Sequence, residues 1–531
     1  MILGGSLLDR LPRVVRSHPR AWALAGVGGY FFYRQCSQSE VLRRATYFWW
    51  HAAPIVIHYK FTKFWLTLQH ADASHRDGVY QQLHDRYASP VLDLILNLKG
   101  LYIKLGQILS ARPDFMPTQY TRVLTTLQDD VPTVDGMQNV ALQSLHAHCG
   151  EALKQYDALE WDDTPLGSAS IGQVHRAVLV QADRRTTVAV KVMRPGSEQR
   201  FEHDFSVFRW LCRVAMQSWT PFLQALHEQV MTEFDYRNEA KSLNEVRKNM
   251  EKSPYRRKVQ IPYAITDLCC KDVLVMEMLE GKRLSDAIRD QFIVAWGGNA
   301  TAATQFLDRR KEQVVTGDTS GGLDALGNLS WQAKVRLWRL SRRCTGWIEL
   351  LVKIHGHQIF CDGVWNGDPH FGAFGGVELV FVFRLHGVVS KLTLFSSGNL
   401  LQLDNGRLGL IDYGQTRRID DSLRKAFANI VVTLHEDGDN QHNIATAMEN
   451  AGFKLKDPTD HRTMAHYSSL MFDSDIVSEK MGYSTPQEYF EDLMDNNPLV
   501  EMPDASGRCI LKSWLLYVSH HISFFCRSWV D

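Results

Sequence analysis

An α+β fold in two lobes, with an extra helical layer in front, is what three features of this 531-residue chain predict. The first is the small-residue turn Pro165-Leu166-Gly167-Ser168-Ala169-Ser170-Ile171-Gly172, and the second is the strand T-V-A-V-K-V-M, Thr187 to Met193, a short distance behind it. The third is Leu410-Ile411-Asp412-Tyr413-Gly414, where apolar residues before an Asp and a Gly after it set a carboxylate at a strand end. A small-residue loop followed by V-A-V-K is how a kinase-type lobe covers nucleotide phosphates and brings a lysine to them. Either piece alone says less, since a lysine in an apolar strand also snorkels.

Composition bounds the classes. Lys+Arg and Asp+Glu are equal at 59 each, so no overall field points to nucleic acid. Hydrophobic residues make up 45% of the chain, enough for sizeable cores and against global disorder. The nine cysteines include no C-x-x-C pair and read as reduced, mostly buried thiols.

In chain order, residues 1–40 come first. Through residue 39 they carry Arg10, Arg13, Arg16, Arg20 and Arg34 against Asp9 alone, the Arg-rich, acid-poor bias of an organellar targeting segment. Ala21 to Tyr33 is an uncharged apolar run, short for a membrane span. A cleaved presequence and a short anchor both fit, with mitochondrion placed ahead of plastid. Residues 41–135 form the helical extension. Phe48-Trp49-Trp50 and Phe64-Trp65 supply either core or an aromatic surface facing a membrane. Leu92 to Leu109 reads as one long helix, ended by Pro113 and Pro117, with Lys104 in an otherwise apolar stretch. That lysine must snorkel or find a carboxylate.

The N-lobe spans 136–281. Its loop reads G-x-A-x-x-G through Gly167, Ala169 and Gly172, with Ser168 and Ser170 between them. The Cβ of Ala169 limits how closely backbone N–H groups approach a phosphate. In M-T-E-F-D-Y-R-N-E-A, Glu233 or Glu239 is placed to pair with Lys191 from a helix packed on the sheet, although single acidic residues on helices are usually solvated. Val273 to Glu280 reads as a strand leading to a hinge, where backbone near Glu277 and Met278 meets an adenine edge.

The C-lobe, 282–531, opens with a Gly/Thr/Ala/Asp-rich stretch, 297–330, read as a flexible insert. Gly367-Asp368-Pro369-His370 and then Asp412 stand in the order of a catalytic loop and a Mg²⁺ site. His355, His357, Cys361 and His370 fit no standard zinc spacing. The chain stops at Asp531 soon after the apolar Trp514-Leu515-Leu516-Tyr517-Val518, which leaves a truncated C-terminus open.

With these residues in view, the chain resembles the UbiB/ADCK atypical kinase-like family. Lys104-Leu105-Gly106-Gln107 is similar to its K-x-G-Q signature, Pro165 to His175 to its Ala-rich loop with S-I-x-Q-V-H, Glu233 to Ala240 to its E-x-D-Y-x-x-E-A, and Asp368-Pro369-His370 to its D-P-H. The resemblance runs from about Arg44 to near the C-terminus. It implies a protein-kinase-like fold that binds ATP or ADP with Mg²⁺ and pairs Lys191 with Glu233. Asp368 takes the catalytic-loop position and Asp412 a metal position. Lys104, Gly106 and Gln107 belong to a helix that folds over the place of a peptide substrate. ATP hydrolysis, or work on lipids and quinone-pathway components at a membrane surface, is therefore implied ahead of protein phosphorylation.

One departure stands out. A kinase catalytic loop places a metal-binding Asn five residues after its Asp, but position 373 is Ala, and the next Gly-Asn is Gly398-Asn399. Removing Ala373 to Gly398 leaves D-P-H-F-G-N, close to the family's D-P-H-P-G-N, with Asn399 as the second metal residue. Residues 371–397 therefore read as foreign to the working enzyme, a translated intron or gene-model error, with a genuine family-specific insertion as the alternative. Two functions follow: an Mg²⁺-dependent kinase-like ATPase, or a nucleotide-binding pseudokinase or lipid-binding scaffold. Neither the substrate nor the oligomeric state is legible in the sequence.

Overall fold

The structure is a computed structural model that describes residues 39–70, 72–110, 116–128, 133–168, 171–215, 220–307, 330–367, 383–385, 388–390, 399–436, 440–472, 489, 492–494, 496–501 and 503. The targeting segment, Ala169, Ser170, Asp368, His370 and the Trp514–Val518 run lie outside the described residues, as does most of 371–397.

The chain divides into two compact units, one formed by Met1–Ile103 with Gly196–Thr220 and the other by Lys104–Pro195 with Pro221–Asp531. In the described part of the first, α1 (Glu40–Leu68) and α2 (Ala73–Leu98) are joined by α6 (Ser197–Ala215). Ser39 caps α1 by accepting from Leu42 N, and Asp72 caps α2 by accepting from His75 N, which satisfies amide groups that a helix start leaves unpaired. Arg44 of α1 donates to Asp204 of α6 at 3.0 and 2.5 Å and to the Leu98 carbonyl at 2.6 Å. Trp49 meets Trp210 edge to face, with centroids 5.1 Å apart. The aromatic run is divided between two faces. Phe48, Ala52 and Leu66 are buried, whereas Trp50, Ile57, Phe61, Phe64, Trp65 and Leu68 are exposed.

The single helix expected over Leu92 to Leu109 is two. Lys99 and Gly100 take φ of 58° and 52°, so the chain turns there, and α3 (Leu101–Ser110) begins afresh. Only a backbone free to enter the left-handed region turns this tightly, and Gly100 supplies that freedom.

In the second unit, α4 (Thr118–Leu124) and α5 (Met137–Leu153) precede a four-stranded antiparallel sheet. Its strands are β1 (Ala158–Ser168), β2 (Gly172–Gln181), β3 (Arg184–Met193) and β5 (Val273–Glu277), in the order β1-β2-β3-β5. Side chains alternate along β3. Val188, Val190 and Val192 join Leu145 and Ala141 of α5 in one core, so Lys191 points to the other face. Helices α7 (Thr220–Met231) and α8 (Tyr236–Lys252) follow β3 in sequence after α6. Along α8, Tyr236, Glu239, Ala240, Leu243, Val246 and Met250 are buried at helical spacing, which makes one continuous inner face.

A second sheet, ordered β4-β11-β10-β6, joins β4 (Val259–Gln260), β6 (Gly281–Arg283), β10 (Leu400–Leu403) and β11 (Leu408–Leu410). Helix α9 (Leu284–Trp296) ends at Gly297. The flexible insert expected from 297 does not start there, because 300–307 is helical and Phe306 packs on Trp296 with ring centroids 4.5 Å apart. Residues 308–329 lie outside the described set. The C-terminal core is helical, built on α10 (Trp331–His357), α11 (Asp421–Glu436), α12 (Gln441–Asn450) and α13 (His461–Phe472) around Phe427, Ile430, Met448 and Tyr467.

Two short strands frame the interruption. β7 (Val364–Asn366) pairs with β12 (Thr416–Arg418), while β10 starts at Leu400 opposite Leu410. Within 371–397, β8 (Phe383–Leu385) and β9 (Val388–Ser390) pair only with each other among the described residues.

Gly172, at the start of β2, is closely enclosed: a Cβ there would stand 2.5 Å from both the Val192 carbonyl oxygen and the Tyr236 hydroxyl. Backbone cannot yield as a flexible side-chain tip does, so Gly172→Ala should destabilise the fold by about 1–3 kcal/mol, read as a lowered urea midpoint. An unchanged midpoint would contradict this packing.

Candidate functional site

Lys191 is the centre of the site. Its ammonium lies 3.0 and 2.9 Å from the two carboxylate oxygens of Glu239 and 3.9 Å from Asp412 Oδ1. Its Nζ also stands 5.2 Å from the centre of the Tyr236 ring. Burial alone would pull this lysine down, but the charges of Asp412 and Glu239 hold it well above its usual range. Glu239 behaves oppositely: burial pushes it up to about 7, Lys191 draws it back, and Asp412 adds to the rise. These two shifts pull against each other, and the charged lysine is the firmer of them, because Asp412 still faces the ammonium when Glu239 takes a proton.

The expected Lys191–Glu233 pair is corrected. Glu233 sits in the 3₁₀ turn Thr232–Phe234, before α8 begins, and there it meets Lys104 Nζ at 3.1 Å. Glu239 lies in the first turn of α8 on its buried face, and the same face brings it to the sheet side that carries Lys191. Asp235 caps α8 by accepting from Arg237 N at 3.0 Å, which fixes where the helix starts and hence which glutamate points inward.

Lys104 is thereby explained. It is a buried residue of α3 with a carboxylate partner, and Glu233 in turn accepts from the Gln415 amide. Gln107, one turn on, donates to the Leu127 carbonyl at 3.0 Å. Gly106 lies on the same short helix. The three K-x-G-Q residues thus stand on one element, and its lysine reaches the loop that follows Asp412.

Asp412 follows β11. Its Oδ1 accepts from Gly414 N at 2.9 Å, and its carbonyl accepts from Asn366 Nδ2 at 3.0 Å. Tyr413 is fully buried, with its hydroxyl accepting from Gln358 at 2.9 Å, so the aspartate is mounted on an anchored loop. Asn399 offers its carbonyl to Ile411 N at 3.2 Å, next to Asp412. The chain therefore leaves at Gly367 beside Gln415, through a 2.8 Å backbone bond, and returns at Asn399 beside Ile411. Asp412 and Asn399 are hard oxygen donors on adjoining strand ends, and one or two such groups completed by substrate phosphates suit Mg²⁺. No cluster of three or more His, Cys, Asp or Glu that could hold a metal occurs among the described residues. His355 is buried and pushed down to about 3 by desolvation, and His357 faces Asp362 at 3.7 Å.

Of the loop residues, Gly167 and Ser168 end β1 and Gly172 opens β2. Arg194 donates to Ser168 Oγ at 2.6 Å and Arg283 to the Leu166 carbonyl at 3.2 Å, holding the outgoing strand. Glu277 ends β5, where its side chain binds Arg247 at 2.6 Å and its N–H donates to Tyr263 at 2.9 Å. Met278 follows directly. Gln415, Tyr236 and Asn366 were not singled out from sequence. Tyr236 is the Tyr of the E-x-D-Y-x-x-E-A segment, where only the acidic residues drew notice, and Gln415 and Asn366 lie in no motif; they act by hydrogen bonds to Glu233 and to the Asp412 carbonyl.

Residues 126–300 match the family model described as the ABC1 atypical kinase-like domain. The match covers about a third of the chain. It contains Lys191, Glu233 and Glu239, whereas Lys104 and Asp412 fall outside the match. The chain is 34% identical over 208 residues to the "probable protein kinase UbiB" of Azotobacter vinelandii, covering 37% of this chain and 36% of that protein. It is 30% identical over 226 residues to AarF domain-containing protein kinase 1 of Xenopus laevis, covering 41% and 42% respectively. A longer alignment, at 24% identity, covers 64% of this chain and 68% of an uncharacterized Synechocystis protein. Across several of these relatives the match spans between 34% and 42% of the relative's own length. A Mycobacterium tuberculosis protein solved with erythromycin aligns over 84% of this chain and 98% of its own at 17% identity, with a TM-score of 0.36. The ABC1 domain and the order of its strands and helices make the fold kinase-like α+β.

The exchange of partners is directly testable. In double-mutant cycles read by urea denaturation, Lys191→Met with Glu239→Gln should couple by about 1 kcal/mol or more, as contacting charges do. Lys191→Met with Glu233→Gln should couple by less than about 0.5 kcal/mol. The reverse ranking would restore the pairing expected from the motif.

Proposed function

We propose that this chain is an ATP-binding, Mg²⁺-dependent atypical kinase-like ATPase that supports quinone or other isoprenoid-lipid metabolism in an organelle, the mitochondrion ahead of the plastid. The observation that carries the reading is the convergence of Lys191, Glu239 and Asp412, a cation and two carboxylates drawn from β3, α8 and the loop after β11. Lys191 is the group to meet nucleotide phosphates, beneath the β1–β2 loop of Gly167, Ser168, Ala169, Ser170 and Gly172. Asp412 and Asn399 would hold Mg²⁺, which when bound supplies charge neutralisation at the phosphates. Glu239 keeps Lys191 extended, and backbone at Glu277 and Met278 is the place for the adenine edge. Asp368 keeps the catalytic position. The relatives' names support a kinase-like activity, the resemblance to the UbiB/ADCK family supports the pathway, and the Arg-rich residues 1–39 support the organelle.

A second reading, a nucleotide-binding pseudokinase or lipid-binding scaffold without phosphoryl transfer, is favoured by one observation: the chain between Gly367 and Asn399 interrupts the D-P-H…N spacing. The ATPase and the nucleotide-binding pseudokinase both place Asp412 at the metal. Asp412→Asn should weaken Mg-nucleotide binding by roughly tenfold or more, while Mg-free nucleotide changes by less than about threefold. Equal losses in calorimetry would remove the metal assignment. Deleting Ala373 to Gly398 separates the readings, since the ATPase predicts turnover above that of the full chain and the scaffold predicts binding with none.

The lipid connection rests on α1. Trp50, Ile57, Phe61, Phe64, Trp65 and Leu68 are 50–78% exposed and recur at helical spacing along a stripe roughly 100° wide, opposite the buried Phe48, Ala52 and Leu66. Exposed aromatic residues of this density suit a membrane interface. No described helix is long and apolar enough to cross a membrane, so the contact proposed is peripheral. Trp50→Ser with Phe61→Ser and Phe64→Ser should reduce co-flotation with liposomes several-fold at unchanged thermal stability; undiminished flotation would count against this face.

A further inference from the structure

A cavity of about 170 Å³ lies at the C-terminal half of α8, away from Lys191, with Met250 and Ile261 in its floor and Arg247, Arg256, Arg407 and Glu251 among its lining. Three guanidinium groups stand here against two carboxylates, Glu251 of the lining and Glu277 behind Arg247, which leaves an excess of positive charge in a small space. Two of the three are held in place. Arg247 Nε donates to Glu251 at 2.9 Å, and its Nη1 donates to the Ile261 carbonyl at 3.0 Å and to Glu277 at 2.6 Å. Arg407 Nη2 donates to the Gln260 amide oxygen, and Gln260 in turn donates to Glu277 at 3.1 Å.

Those bonds leave donors unspent. A guanidinium carries five N–H groups in a fixed fork. Among the described residues, Arg247 Nη2, Arg407 Nε and Nη1, and the whole guanidinium of Arg256 have no hydrogen-bond partner. Positioned arginines with free forks match the tetrahedral oxygens of a phosphate better than any neutral ligand. The cavity is also smaller than the several hundred cubic ångströms that a drug-sized ligand requires, which excludes a whole nucleotide.

We propose that this cavity binds a phosphate group, free or on a lipid headgroup, through Arg247, Arg256 and Arg407. Lys191 is not among its lining, although Glu277, which holds Arg247, also ends the strand proposed to meet the adenine edge. The apolar floor excludes water from one side of the anion and strengthens the charge-assisted bonds.

The test uses the full chain, with Lys191→Met as a background in which phosphate binding at the other site is weakened. Inorganic phosphate is titrated by calorimetry, and sedimentation with phosphatidic acid vesicles is compared with phosphatidylcholine alone. Arg256→Gln with Arg407→Gln should weaken phosphate binding about tenfold or more, as loss of hydrogen bonds to a charged group does, with the urea midpoint preserved. Lys191→Met should change it by less than about twofold. If the double variant loses only the phosphatidic-acid-dependent sedimentation, the phosphate belongs to a lipid and the site stands. Should Arg407→Gln fail to fold, Arg256→Gln alone decides, because that guanidinium makes no bond the fold uses. Saturable binding that is unaltered in the arginine variants, binding that disappears with Lys191→Met, or no binding of either probe overturns the proposal.

Discussion

The buried ammonium of Lys191 is the constraint on which the rest of this structure depends. A lysine removed from water without partners would lose several kcal/mol and discharge. It stays charged here because Glu239 and Asp412 face it from two other elements. Three pieces of chain must therefore arrive together: β3 with the lysine on the face away from the valines, α8 with its first turn inward, and β11 with an aspartate just beyond its end. The rest of the site is largely the means of meeting that condition. Asp235 sets the start of α8, Tyr413 anchors the loop of Asp412, and Gly172 lets β2 approach both Val192 and Tyr236.

A second ion pair is layered on the first. Lys104 and Glu233 are both largely buried, and Gln415 continues the chain of contacts to the segment after Asp412. Removing one member of such a pair leaves the other charge buried and unpaired, a heavier cost than the pair's own net worth. The K-x-G-Q helix is thus fastened at the point where the loop carrying Asp412 begins its return.

Much of this was legible in the sequence, and the exceptions have physical reasons. V-A-V-K, the small-residue loop and I-D-Y-G each encode local geometry, so Lys191, Gly167, Gly172 and Asp412 were found from strings of a few residues. Which glutamate reaches Lys191 was not local. Glu233 and Glu239 are six apart, and the choice turned on a 3₁₀ turn ending at Phe234 and a cap at Asp235, which the motif does not reveal. The break at Gly100 was missed because the apolar pattern runs through it unaltered. The helix at 300–307 was missed because its Ala and Thr content resembles a linker, whereas Phe306 gives it a packing partner in Trp296.

The interrupted catalytic loop becomes easier to understand from its ends. Asn366 is bonded to Asp412 and Asn399 to Ile411, so the two points where the chain departs and returns are held on neighbouring residues. Whatever path 368–398 takes, its added cost is mainly that of closing a longer loop. Closure entropy grows only with the logarithm of length, and going from a five-residue spacing to one of 31 costs roughly 1.5 kcal/mol. Against a total stability of about 5–15 kcal/mol for an ordinary domain, the fold can carry such an addition. The strands β7, β10, β11 and β12 that position Asp412 and Asn399 are therefore compatible with both origins of the segment. What the segment alters is the short tether between Asp368 and Asn399, and hence whether two groups fixed on the same short loop in a kinase act together here.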